Sequence, residues 1–248
     1  MNSVVYIMWL RQLKRYWRSK ARMIGTLGQP ILFLVALGFG LGTVFQQAGQ
    51  GNYIEFLAPG IVAMSILFTA MFNGIEVIWD RQFGFLKETL VAPVSRLKIM
   101  IGRTLGGATV AFLQGILVLV ISLLLGFRII NLAAIPIAFG FMFLIALLFT
   151  ALGTAIASLL KDMNAFPLII NFVIMPLFFL SGALFPVKNL PSFLEIVIRI
   201  NPLSYGVDGV RDALSTSSFG LLMDFVILAA WIIIVNLIGS YLFSRIEV

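Results

Sequence analysis

Long apolar runs separated by short polar stretches dominate the chain, and six of them are long enough to be read as membrane crossings. A helix needs about 20 mostly apolar residues to span a hydrocarbon core of roughly 30 Å. Such runs lie near 24–45, 57–79, 103–126, 133–159, 166–184 and 220–243, with no soluble domain between them. Pro30, Pro136, Pro167 and Pro176 fall in or beside these runs and predict kinks or broken helices. The fifth run is short and interrupted by Pro176, which predicts a helix combined with a re-entrant piece. The expected fold is all-α and integral to the membrane, with residues 24–248 forming a single six-span domain.

The stretches between and before the runs carry patterns of their own. Tyr6, Trp9, Leu10, Leu13 and Trp17 recur at helical spacing while Arg11, Arg15, Arg18 and Arg22 take another face. Residues 1–23 therefore predict an amphipathic helix in the membrane interface, either an anchor for the first span or an element that transmits movement. They are not read as a secretory signal, because Gln46-Gln47 follows the first run without a small-residue cleavage pattern. Between the second and third runs, Phe83, Leu86 and Leu90 are helically spaced and Pro93 closes the piece, so about 83–92 predicts a short amphipathic helix parallel to the membrane. Its apolar face fits either lipid or a groove on a soluble partner. The stretch 185–219 is punctuated by Pro186, Pro191 and Pro202, yet Phe193, Leu194, Val197, Ile198 and Ile200 make it too apolar for a free loop. It predicts one or two short helices that enter the membrane partway and return.

Charge gives these elements an orientation. The chain has a net charge of +7, and basic residues in short loops are retained on the cytoplasmic side. With the N-terminus inside, Arg11, Lys14, Arg15, Arg18, Lys20, Arg22, Arg81, Lys87, Arg96, Lys98, Arg103, Lys161 and Arg245 all fall inside, against only Arg128, Lys188, Arg199 and Arg211 outside. Both termini are then cytoplasmic, in a multi-pass protein of the cell (inner) membrane. The positive charge follows membrane topology, and no nucleic-acid partner is expected. Composition agrees: 61% of residues are hydrophobic and 11% charged, with a mean hydropathy of +1.09. With no cysteine and no histidine, the commonest nucleophile, base and metal ligands are missing. No catalytic, cofactor-binding or metal-ligating residues are expected, and an enzyme built on Asp208 or Asp212 is a poor fit.

Several motifs narrow the chemistry. Gly38-Phe-Gly40-Leu-Gly42 ends a membrane run, so it lacks the strand and soluble helix of a dinucleotide site and reads as packing, as do Gly102, Gly106 and Gly107. No phosphate loop is present, so the chain does not hydrolyse ATP by that route. Asn73, Glu76 and Asp80 share one helical face near the inner end of the second run, where they are expected to be solvated, paired with Arg81 or Arg103, or part of a pathway. Asp208, Arg211 and Asp212 either pair locally or line an outer gate. The middles of the other runs are nearly free of charge, which argues against a proton- or sodium-coupled carrier and implies an energy source outside the chain. An autonomous channel or secondary carrier is the alternative.

Two stretches resemble the ABC-2-type permeases, a family that includes drug-resistance, lipo-oligosaccharide nodulation and polysaccharide exporters. The first is Phe83-Gly-Phe-Leu-Lys-Glu-Thr-Leu-Val-Ala-Pro-Val-Ser-Arg96; the second is Leu180-Ser-Gly-Ala-Leu-Phe-Pro-Val-Lys-Asn-Leu-Pro191, running on to Asn201-Pro-Leu-Ser-Tyr-Gly-Val-Asp-Gly-Val-Arg-Asp-Ala-Leu214. With the spans and the basic amphipathic start, the resemblance covers nearly the whole chain. It implies two copies of this subunit working with two copies of a separate ABC ATPase, which would hold the ATP and magnesium. It also implies that Phe83, Gly84, Phe85, Leu86, Lys87, Glu88 and Leu90 form the coupling helix that meets that ATPase. Many relatives place an acidic residue after the Gly-x-Leu matching Gly84–Leu86, where this chain has Lys87 and then Glu88. The stretch 186–214 is implied to form outer re-entrant helices near the exit of an export pathway for an amphipathic, lipid-like or lipid-linked substrate.

Overall fold

The computed structural model describes residues 3–48, 51–85, 95–160, 162–187, 191–215 and 220–244, and among them there is no strand. Helix α1 (Ser3–Arg18) breaks at Ser19 before α2 (Lys20–Gly40), and a short α3 (Gly42–Gln47) follows. Then come α4 (Tyr53–Gln82), α5 (Arg96–Leu124) and α6 (Ile135–Leu159), the last entered through a 3₁₀ turn at Leu132–Ala134. Helices α7 (Ala165–Phe179), α8 (Ser192–Ile200), α9 (Pro202–Ser215) and α10 (Leu221–Ser244) complete the chain.

Five of these elements, α2, α4, α5, α6 with its leading turn, and α10, are long and apolar enough to cross a membrane. The fifth expected run is different: α7 is apolar but, at 1.5 Å rise per residue, covers only about 22 Å. Its middle turn, Ile170–Ile174, is a π-helix. Pro176 supplies no amide to the carbonyl of Phe172 and its ring crowds that position, so a wider turn ahead of it relieves the clash. The apolar residues beyond Phe179 belong to a turn, in which Gly182 takes φ +71°, a value that disfavours any residue with a β-carbon.

Helix α4 is the central post, buried along most of its length. It packs against α2, α5, α6 and α9, and backbone proximity explains its small residues. A β-carbon at Gly74 would overlap the backbone of Gly153 on α6, so the two helices cross almost in backbone contact. Gly74→Leu is expected to cost about 1–3 kcal/mol of folding free energy, read as a lower thermal unfolding midpoint in detergent; an unchanged midpoint would contradict this packing.

Helix α1 does not present its inner face to lipid. Gly102 lies against Val5 and Met8, and Gly106 against Trp9 and Gln12. Trp9 donates from Nε1 to Thr109 Oγ1 at 3.0 Å and Tyr16 donates to Gln114 Oε1 at 2.5 Å, so α1 climbs beside the first half of α5 in the same direction. Gly102 and Gly106 thus act as the packing residues expected from sequence, seating α1. Gly107 faces Thr150 and Asn73, and Gly38 faces Ile54, whereas Gly40 and Gly42 meet nothing nearby.

Candidate functional site

The basic end of the bundle is organised around three residues of α4. Asn73, Glu76 and Asp80 are all buried, Glu76 with only 1% of its surface exposed. Asp80 accepts from Arg103 Nη1 at 2.6 Å and takes both ends of the Arg11 guanidinium, at 2.8 and 3.2 Å. Glu76 accepts from Arg22 Nη1 at 2.8 Å and has Arg15 at 3.5 Å. Asn73 accepts from Arg22 Nη2 at 2.8 Å and donates to the Gly107 carbonyl at 3.0 Å. Two carboxylates and one amide therefore tie α1, α2, α4 and α5 together through four guanidinium groups. Arginine suits this because its planar fork fits a carboxylate in two-point contact.

Of the two partners expected from sequence, Arg103 pairs with Asp80 but Arg81 does not join the cluster. Arg81 donates instead to the carbonyls of Leu160 and Ser158 at 3.1 and 3.4 Å, covering the exposed carboxyl end of α6. Three of the four arginines that the sequence places on an amphipathic face, Arg11, Arg15 and Arg22, supply the missing contacts.

The cluster reaches the segment that follows α4. Phe83 closes the helix and is 82% exposed, and Gly84 turns the chain at φ +77°. Phe85 then lays its ring against the Arg11 guanidinium, 3.9 Å from centroid to Cζ. Leu86, Lys87, Glu88 and Leu90 lie outside the described residues. Along the outer side of α1, an open groove of about 810 Å³ is lined by Ile7, Leu10, Arg11, Lys14, Arg15, Arg18 and Ser19.

The opposite end is built from the two halves of the second sequence stretch. Asn201, at the joint of α8 and α9, donates to the carbonyls of Leu177 and Leu180 at 2.7 and 3.1 Å and accepts from the Leu203 amide at 3.0 Å. It thereby closes the end of α7 and opens α9. Gly206 and Gly209 rest on Ile145 and Phe141 of α6, and Ile130 donates to the carbonyl of Leu214 at 2.9 Å. Helix α9 therefore starts well inside the bundle and climbs along the first part of α6.

Arg211 is only loosely paired with Asp208, at 3.9 Å. It donates to the Gly182 carbonyl at 2.9 Å and lies over the Phe56 ring at 4.1 Å. Burial pushes the Asp208 carboxyl above its usual range, neighbouring Asp212 pushes it the same way, and Arg211 pulls it back. An open cavity of about 340 Å³ is lined here by Phe56, Gly182, Tyr205, Asp208, Arg211 and Asp224, among others. Asp224 was missed in the sequence; its signal was a lone carboxylate in the first turn of an otherwise apolar helix.

The family model described as ABC-2 type transporter matches residues 3–215. The chain is 30% identical over 215 residues to the putative transport permease ycf38 of Cyanophora paradoxa, covering 84% of this chain and 72% of that protein. It is 33% identical over 210 residues to Nodulation protein J of Rhizobium leguminosarum bv. trifolii, covering 83% and 76% respectively. A putative transport permease ycf38 of Porphyra purpurea is 27% identical over 253 residues, covering 95% and 86%.

Proposed function

The chain belongs to the ABC-2 type transporter family, whose members are membrane transport permeases, and from that premise we propose that it is the membrane subunit of an ATP-driven exporter. In this reading two copies of the chain assemble with two copies of a separate ABC ATPase that binds ATP and magnesium. They move an amphipathic, lipid-like or lipid-linked substrate out of the cytoplasm or the inner leaflet. The basic end faces the cytoplasm of the cell (inner) membrane, with lipid around the spans.

One observation carries the proposal: the segment beginning at Phe83 is joined to the bundle through Arg11. Phe85 on Arg11, and Arg11 with Arg103 on Asp80, connect the start of that segment to α1, α4 and α5. A push delivered by a soluble partner at 83–92 would reach α1 and the post α4 together. Phe83, exposed at the end of α4, offers an apolar side chain to a groove on such a partner.

The test begins with purification in mild detergent from the native membrane. An ATPase with a phosphate loop is expected to copurify in equal amount, and Leu86→Asp with Leu90→Asp is expected to abolish that association while the chain stays inserted. Complexes that survive the double substitution would remove 83–92 as the docking helix. Ion conductance by the chain alone in liposomes would favour the channel reading instead.

A further inference from the structure

The outer end holds an accumulation of negative charge that the transport reading does not use. One carboxylate oxygen from each of Asp208 and Asp212 on α9 and Asp224 on α10 lies within 4.8 Å of the others. Like charges that close repel strongly, and Arg211, 3.9 Å from Asp208 and donating to the Gly182 carbonyl, offsets one of the three. Asp224 is only 6% exposed, and its Oδ2 is buried with no hydrogen-bond partner among the described residues. A buried carboxylate oxygen left in that state is costly unless a ligand completes it.

We propose that Asp208, Asp212 and Asp224 form a divalent-cation site of the calcium class that clamps α9 to α10. The donor set is oxygen alone, which selects hard cations over zinc or copper. Flexibility of coordination then favours calcium. Three carboxylate oxygens gathered from two helices within 4.8 Å of one another suit calcium, which takes oxygens at about 2.3–2.6 Å in flexible geometry, better than magnesium, which demands a near-ideal octahedron at about 2.0–2.1 Å. Calcium also needs six to eight oxygens, roughly, beyond what three carboxylates give singly. The adjoining cavity, which Asp208 and Asp224 line, admits water to supply the rest. Gly220 lies beside the cluster: a β-carbon there would stand in ordinary contact, 3.6 Å from Asp224 Oδ2 and 3.7 Å from Asp212 Oδ2, which places these two oxygens on one side of the same residue.

The site would hold the re-entrant α9 against the last span in the presence of the ion and release it in its absence. Its test requires neither an ATPase nor transport, so it stands or falls apart from the exporter reading. The full-length chain, purified in mild detergent and stripped with chelator, is titrated with calcium chloride alone, following radiolabelled calcium bound per chain and the thermal unfolding midpoint. One saturable calcium per chain is expected, with the midpoint rising by about 5 °C or more at a hundredfold excess over Kd. Asp224→Asn is expected to weaken binding about a hundredfold. Because that residue is buried, Asp208→Asn provides a second variant at an exposed position, expected to keep the fold and lose about tenfold in affinity. No binding by the wild-type chain at millimolar calcium, or equal binding by both variants, overturns the proposal. So does an Asp224→Asn chain that is stabilised without calcium while the wild type ignores the ion, because the cluster would then be relieved by a proton.

Discussion

Asp80→Ala is expected to cost the folded chain roughly 3–5 kcal/mol, the penalty for removing one partner of a buried ion pair. Arg103 is 3% exposed and has its Nη1 on Asp80 at 2.6 Å. Without the carboxylate, its charge stays buried with nothing opposite it. Arg11 is better placed, since 26% of its side chain is exposed and it can turn to water. The loss therefore resides mainly in Arg103, and that makes a specific rescue available. Asp80→Ala with Arg103→Met removes both buried charges and is expected to recover more than half of the lost stability. The readout is the thermal unfolding midpoint in detergent, with a fall of about 10 °C for the single variant and a partial return for the double. A single variant within about 2 °C of wild type would mean that water reaches Arg103 and that the cluster does not hold the helices together.

That cluster also shows what a linear pattern conveys and what it leaves out. The spacing of Asn73, Glu76 and Asp80 put all three on one face of α4, and they share that face in the structure. The distance from α4 to the start of α5 was short enough to suggest Arg103. Arg11, Arg15 and Arg22 could not be assigned, because their pairing depends on how α1 and α2 lie on the bundle, and periodicity reports only which residues share a face. Lipid and protein are both acceptable surroundings for the apolar side of such a helix. What decided between them was the pair Gly102 and Gly106, legible as small residues but not as a seat for a particular helix.

The same limit explains the two departures at the other end. Hydropathy joined 166–184 into one run, since buried turn residues such as Ala183 and Leu184 are as apolar as helical ones. Pro176 and Gly182 marked the break, and the structure ends the helix at Phe179 with Gly182 at positive φ. Asp224 went unnoticed because Asp208 and Asp212 are neighbours on α9 while Asp224 comes from a different helix. A lone acid in an apolar span was the one available sign, and only the packing of α9 against α10 gave it company.

Gly106→Leu is expected to uncouple the transporter without dismantling its spans. A β-carbon at this position would stand 2.7 Å from Gln12 Cγ and 3.2 Å from Trp9 Cα, so a leucine cannot be accommodated while α1 remains seated. Lifting α1 breaks the Trp9–Thr109 and Tyr16–Gln114 hydrogen bonds and draws Arg11 away from Asp80 and Phe85. Arg103 still neutralises Asp80 and the α4–α6 crossing at Gly74 and Gly153 is untouched, so the central bundle is expected to persist. Trp9 fluorescence should shift to longer wavelength as its indole loses the Thr109 partner and gains water. If α1 transmits movement, the variant assembled with the proposed ATPase in proteoliposomes should hydrolyse ATP while transport falls at least tenfold. If α1 were only an anchor for the first span, the same substitution would reduce insertion, and the molecules that did insert would transport normally. The two roles proposed for residues 1–23 thus separate on transport per inserted chain, a quantity that stability alone does not change.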